Sequence, residues 1–402
     1  MTHEPDDGSG QHRYDEIVEF GSGRTSGRGR MSGRPWLSRW LLTGLVLAAA
    51  VTLVLQETGH QARPAARNPS QAPPMRLIVV GHRLLGVTAG WELFARGPDD
   101  LVRVELARGL VHLTYVPPLE TGNPDIAFVM EPGEAIIRSS DLVPGYVVPD
   151  GGQARQLAGP LAVSGPMIPG PASAKAVWVM TGLPAAPALS LVTLAGHRSG
   201  PSIPFPHDAP QLPATAVSDG RGNVLLITGN FVVYHAGPGW DRLVPGTPIA
   251  VGPASWLVLA CNAQYQHCRN EVIDTASGSR RVLPGRVNDQ PYYFAWPPTG
   301  VISPDGSTAA IAARGPGGKP TVHLIDLRTG ATRDLGVSLG GQGSGFALAT
   351  DFSAHSMAWS PDSRWLFVAG AGGKLIAIDA STGRAASLGV NVGPVDQVAV
   401  RA

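Results

Sequence analysis

Residues 377–389 read AIDASTGRAASLG, and two earlier stretches follow the same pattern: LIDLRTGATRDLG at 324–336 and VIDTASGSRRVLP at 272–284. Each runs aliphatic residue, Ile, Asp, two variable positions, Ser or Thr, Gly, four variable positions and Leu. The copies start 53 and 52 residues apart. This spacing describes a strand, a turn and a returning strand. Asp274, Asp326 and Asp379 end the strand, where a carboxylate accepts hydrogen bonds from N–H groups two or more residues on and braces the turn. Gly278, Gly330 and Gly383 supply the positive φ of a short hairpin. Leu283, Leu335 and Leu388 then return to the space between neighbouring units. Calcium is the competing reading of an Asp-containing turn. It needs several converging oxygens, and each copy offers one carboxylate.

The corner belongs to a larger unit. Residues 301–337 read as strand VIS, turn PDG, strand STAAIAA, loop, strand TVHLIDL, turn RTG and strand ATRDLGV; residues 357–390 match segment for segment. Weaker copies cover 215–246, 256–285, 176–199, 134–159 and 91–116. With the last strand as marker, Leu113, Leu157, Ile203, Leu243, Leu283, Leu335 and Leu388 recur every 46 residues or so. A four-stranded unit of that length, repeated about seven times, is the pattern of an all-β fold: a β-propeller whose blades stack because none buries both faces alone. VDQVAV (395–400) is expected to join the first unit beside LIVV (77–80), tying the domain's ends together.

SPDG (303–306), SPDS (360–363) and the Ile-Asp-x-x-[Ser/Thr]-Gly ends resemble WD40-like and TolB-like propeller repeats. The unit from His355 to Arg384 is the closest copy. It departs from a true WD40 repeat at Ile378-Asp379, where Trp-Asp would stand. The resemblance is clear over about 250–400 and faint over 75–215. It implies a propeller fold, a binding platform, and side-chain bracing of the blade by His355, Ser360 and Asp362.

The N-terminal part differs. Residues 1–20 hold six acids and one Arg; residues 21–39 hold five Arg and no acid. From Trp40 to Leu55 nothing is charged, and the apolar run counted from Trp36 is 20 residues long. That length spans a bilayer core as one helix, longer than a cleaved signal peptide's apolar region, and Arg39 can snorkel to the interface. The expected organisation is a disordered cytoplasmic arm (1–35), a transmembrane signal anchor (36–55), a Pro/Ala-rich stalk (56–74) and an extracytoplasmic propeller (75–402) on the cell membrane. Cys261 and Cys268 are the only cysteines. Outside the cytoplasm a close even pair reads as a disulfide; one Cys-x6-Cys with His267 lacks the second ligand pair of a structural zinc site.

Candidate chemistry is sparse. The net charge is +1 over 402 residues, so nothing favours nucleic acid. No His-Glu-x-x-His motif or phosphate-cradling loop occurs, and neither metal nor cofactor is expected. A quinone-dependent dehydrogenase would need Trp after Asp-x-x-Thr-Gly, and no copy has it. QPYYFAWPP (290–298) clusters Tyr292, Tyr293, Phe294 and Trp296 between prolines in a long connection, a candidate contact for a peptide or glycan. The expected role is non-catalytic binding of an envelope protein, peptide or glycan. The alternatives are a propeller enzyme (hydrolase, lyase or quinone-dependent oxidoreductase) with its site in the central channel, and a sensor coupling an outer ligand to the inner arm. Converging acids and bases in the channel would favour the enzyme; an apolar channel, as FALAT (346–350) hints, would favour the scaffold.

Overall fold

The computed structural model describes residues 75–117, 127–138, 145–163, 167–171, 173–183, 186–206, 215–228, 232–236, 240–262, 267–284, 300–314, 320–339, 355–390 and 392–402. The proposed arm, anchor and stalk lie outside these residues. So do the QPYYFAWPP cluster (Tyr292, Tyr293, Phe294 and Trp296) and FALAT. Among the described residues no helix is long and apolar enough to cross a membrane.

Strands of two to twelve residues, separated by Gly and Asp turns, account for nearly all of the described secondary structure. The first group orders β1 (Arg76–Val79), β4 (Leu110–Tyr115), β3 (Asp100–Glu105), β2 (Glu92–Arg96) and β28 (Gln397–Arg401). Two four-stranded sheets follow: β5 (Ala127–Glu131), β6 (Glu134–Arg138), β7 (Tyr146–Pro149) and β8 (Arg155–Gln156), then β9 (Met167–Pro169), β10 (Ala176–Leu183), β11 (Ala186–Thr193) and β12 (Ile203–Pro204). The fourth group is β13 (Thr215–Ser218), β14 (Val224–Ile227), β15 (Val232–Ala236) and the long β16 (Trp240–Val251). The far half of β16 opens the fifth group, with β17 (Ser255–Ala260), β18 (Arg269–Asp274) and β19 (Arg280–Val282). The sixth is β20 (Gly300–Ile302), β21 (Thr308–Arg314), β22 (Pro320–Asp326) and β23 (Thr332–Ser338). The seventh is β24 (Met357–Trp359), β25 (Trp365–Gly370), β26 (Lys374–Asp379) and β27 (Ala385–Ser387). Pairing is antiparallel except that β16 meets β20 in parallel at Ala250 and Gly300, which fuses groups four to six into one continuous sheet.

Each strand alternates faces, so each group presents apolar side chains on both sides, and these meet in clusters between neighbours. Phe94 and Leu101 pack with Phe128 and Ile137, joining groups one and two. Ile136 and Val147 meet Val177 and Val192; Trp178 and Leu189 meet Leu226 and Tyr234; Leu225 and Val233 meet Trp256 and Ile273. Leu283 packs with Ile311 and Ile325, and Leu335 with Leu366 and Ile378. The last cluster joins Leu93 and Val104 to Phe367, Ala377 and Leu388, groups one and seven. The seventh group therefore packs against the first, and the arrangement is a closed, propeller-like ring.

The closure differs from the expected one. β28 enters the first group but pairs with β2, Phe94 opposite Ala399, while β1 pairs with β4 at the other edge. The two terminal strands share a sheet without touching. The physical reason is burial: an inner strand is packed by both neighbours and suits Val398 and Ala399, whereas β1 carries Arg76 and leaves Leu77 and Val79 about half exposed or more.

Backbone carbonyls tie the groups together as well. The indole N–H groups of Trp178, Trp256 and Trp359 donate to Gly222 O, Asp219 O and Val301 O in the neighbouring group, at 2.8, 2.8 and 3.1 Å.

Candidate functional site

A cavity of about 680 Å³ lies inside the ring and is lined from every group. Met130, Met167, Val217, Val251, Val301, Ala358 and Val400 each represent one inner strand of its wall. Turns that follow the inner strands make the rim at one end: Pro132, Gly170, Arg221, Pro253 and Pro304. Close approach of these turns depends on Gly222, at φ +91°, where a Cβ would stand 2.6 Å from Pro171 Cα.

The rim turn 218–223 is braced from within. Asp219 is buried, and its Oδ1 accepts from the N–H groups of Arg221 and Asn223 at 2.7 and 2.9 Å. Its Oδ2 lies 3.0 Å from His235 Nε2. Burial alone would raise this carboxyl, but the His235 and backbone hydrogen bonds hold it below the usual carboxylate range.

Among the described residues, four polar side chains stand against the apolar wall: Glu131, Ser218, Arg221 and His355. Glu131 ends β5 with 2% exposure, and its Oε2 is buried without a hydrogen-bond partner among the described residues. Burial pushes its carboxyl up to about 7. The nearest cations are committed elsewhere. Arg401 donates to Glu131 only at the backbone oxygen, at 3.1 Å, and its Nη2 is held by Glu92 and Asp150. Arg221 donates to Thr275 O at 3.2 Å. Ser218 Oγ accepts from Gly220 N–H.

His355 precedes β24 and stands edge-on to Phe128, ring centroids 6.1 Å apart. Enclosure by protein, with Arg96 nearby, pushes its imidazole down to about 4, so it is neutral at pH 7. The resemblance placed His355 in the bracing of its own blade. Ser360 and Asp362 do meet there, and Ser360 Oγ also accepts from Trp365 N–H at 2.8 Å. His355 faces the channel instead.

The other singled-out residues lie away from the cavity. Asp274 Oδ1 accepts from Ser277 N–H, Asp326 Oδ1 from Thr329 N–H and Asp379 Oδ1 from Thr382 N–H, at 2.7, 2.8 and 3.1 Å. Gly278, Gly330 and Gly383 have φ of +68°, +76° and +71°. These corners lie on the outer hairpins of groups five to seven. Cys261 and Cys268 form a disulfide across the β17–β18 hairpin. Among the described residues no cluster of His, Cys, Asp or Glu could hold a metal ion.

Sequence reasoning passed over Glu131 and misassigned His355. The one signal for Glu131 was an acid closing the apolar run IAFVME ahead of Pro132-Gly133.

Comparison with known protein families finds no match, and comparison with curated proteins finds none either. Solved structures are similar to the chain. One is TolB from Acinetobacter baumannii, at 16% identity and TM-score 0.42, covering 77% of this chain and 82% of that one. Another is a putative 6-phosphogluconolactonase from Bacteroides fragilis, at 11% and 0.46, covering 79% and 99%. A third is the dihydro-heme d1 dehydrogenase NirN, at 14% and 0.44, covering 87% and 84%. Two of these proteins are named for different activities and TolB for none, and likeness at this level assigns no activity to this chain.

Proposed function

We propose that this chain is a membrane-anchored, non-catalytic binding module that takes an apolar segment of a partner, of peptide character, into its channel. The observation that carries the reading is the wall: seven inner strands contribute Met, Val, Ile, Ala, Phe and Trp, and few polar groups interrupt them. Burial of apolar area is the driving force such a surface offers. A glycan would need polar side chains along the wall to replace its water hydrogen bonds. Acid–base catalysis needs a second group placed to exchange a proton with the first. Glu131, Arg221 and His355 make no hydrogen bond or ion pair with one another. The anchor reading rests on the apolar run of 36–55, uncharged from Trp40 onward and following five arginines in residues 21–39, and the Cys261–Cys268 disulfide agrees with an extracytoplasmic location.

The test uses Nile red, a neutral apolar dye, with the full chain. One dye should bind per chain, and Ala358→Trp and Ala399→Trp, which fill the channel from two sides, should abolish that binding while leaving far-UV circular dichroism unchanged. Undiminished binding in both variants would refute the channel as the site. Protease added to intact cells should digest the part beyond residue 56; its protection would refute the topology.

A further inference from the structure

We infer that the segment entering the channel carries an ammonium group, which seats against the carboxyl of Glu131 while its apolar body lies along the wall. This inference rests on the channel being the binding site, and it adds the chemical class of what binds.

Glu131 is an anomaly on a surface otherwise built for apolar contact. A buried polar atom is almost always hydrogen-bonded, because leaving it unpaired costs the desolvation of that group. Glu131 Oε2 has no hydrogen-bond partner among the described residues, and the side chain is 2% exposed. The protein has cations close by, but Arg401 is turned onto Glu92 and Asp150 and Arg221 onto a backbone oxygen. The other titratable group on the wall, His355, is an uncharged imidazole and supplies no positive charge. No described residue satisfies the carboxyl, and a partner from outside the chain would do so. A metal ion does not fit: hard cations require several oxygens, and among the described residues no second carboxylate lines the cavity. A single compact donor with a positive charge does fit, and an alkylammonium combines it with the apolar stem that the wall favours. That chemistry is shared by a lysine side chain in an apolar peptide and by a small amphiphilic amine.

The experiment compares two capped pentapeptides of leucine and alanine, one with a central lysine and one with norleucine there, and n-octylamine against n-octanol. Binding is measured by calorimetry on the full chain. The lysine peptide should bind the wild type about tenfold tighter than its norleucine counterpart, the ratio expected for one charge-assisted hydrogen bond. In Glu131→Gln the ratio should fall to about one. Preference only for n-octylamine over n-octanol, again lost in Glu131→Gln, would support the same site with a small amine as its ligand. Equal binding of charged and neutral members would overturn the inference and leave the channel reading intact. Failure of all four to bind, together with Nile red, would overturn both. A second readout needs no variant. Pairing with an ammonium forces Glu131 to ionise, so binding at pH 7 should release about half a proton, seen as a dependence on buffer ionisation enthalpy. Zero release on binding of the lysine peptide would count against the pairing.

Discussion

At the scale of single residues, Gly278 and Gly330 hold the same place in the repeated corner and share a left-handed backbone, but their surroundings differ. A Cβ on Gly278 meets nothing within 4 Å, whereas one on Gly330 would stand 2.0 Å from Pro284 O of the preceding group. Gly278→Ala should therefore cost only the conformational penalty, about 1–2 kcal/mol. Gly330→Ala should cost that plus the displacement of a neighbouring backbone, about 2–5 kcal/mol in total. Denaturant unfolding of the two variants checks the difference, and equal losses would mean the contact between groups is slack. The need for glycine was legible because the turn dictates φ locally. The crowding at one copy was not, since Pro284 belongs to another unit.

At the scale of elements, the outer hairpins were the readable part. Their two-residue alternation and fixed turns depend on neighbours close in sequence, so 301–337 and 357–390 resolved into four strands each. Inner strands were harder. β9 and β24 have three residues and β5 opens a unit whose sequence pattern began at Glu134. A strand so short carries almost no periodicity, and its apolar character comes from packing on both sides. The β17–β18 hairpin also carries the disulfide. Its loop of roughly eight residues limits the closure entropy it can remove, so joint replacement of Cys261 and Cys268 by Ser should cost about 2.5 kcal/mol. Thermal unfolding of that double variant, compared with the oxidised wild type, checks the figure. No loss at all would place the stabilisation of the hairpin in the pairing of Ala260 with Arg269 and its neighbours alone.

For the whole molecule, the channel couples stability to pH through two groups with opposite signs. His355 titrates at about 4 in the fold against about 6.5 unfolded, so the unfolded chain binds more protons between those values and stability rises with pH there. Glu131 titrates at about 7 in the fold against about 4.5 unfolded, so the folded chain binds more protons and stability falls as pH rises through that window. The two slopes overlap and offset between about 4.5 and 6.5. Glu131→Gln removes the falling slope. Its stability relative to wild type should be near zero at pH 4 and reach a gain on the order of 2 kcal/mol at pH 8. Denaturant midpoints across that range test this, and a difference independent of pH would show that Glu131 is not buried as an acid. A carboxyl kept at such a cost is the kind of strain that binding sites retain.

The sequence by itself determined the strands, the corners, the repeat and hence the all-β architecture, because turn chemistry and two-residue alternation act over a few residues. The cysteine pair was legible for the same reason. Only the tertiary structure decided which terminal strand lines the channel, that Asp219 braces the rim, and that Glu131 and His355 share one cavity. Those residues lie 224 positions apart in the chain. Nothing local records their meeting; it follows from seven groups packing into a ring.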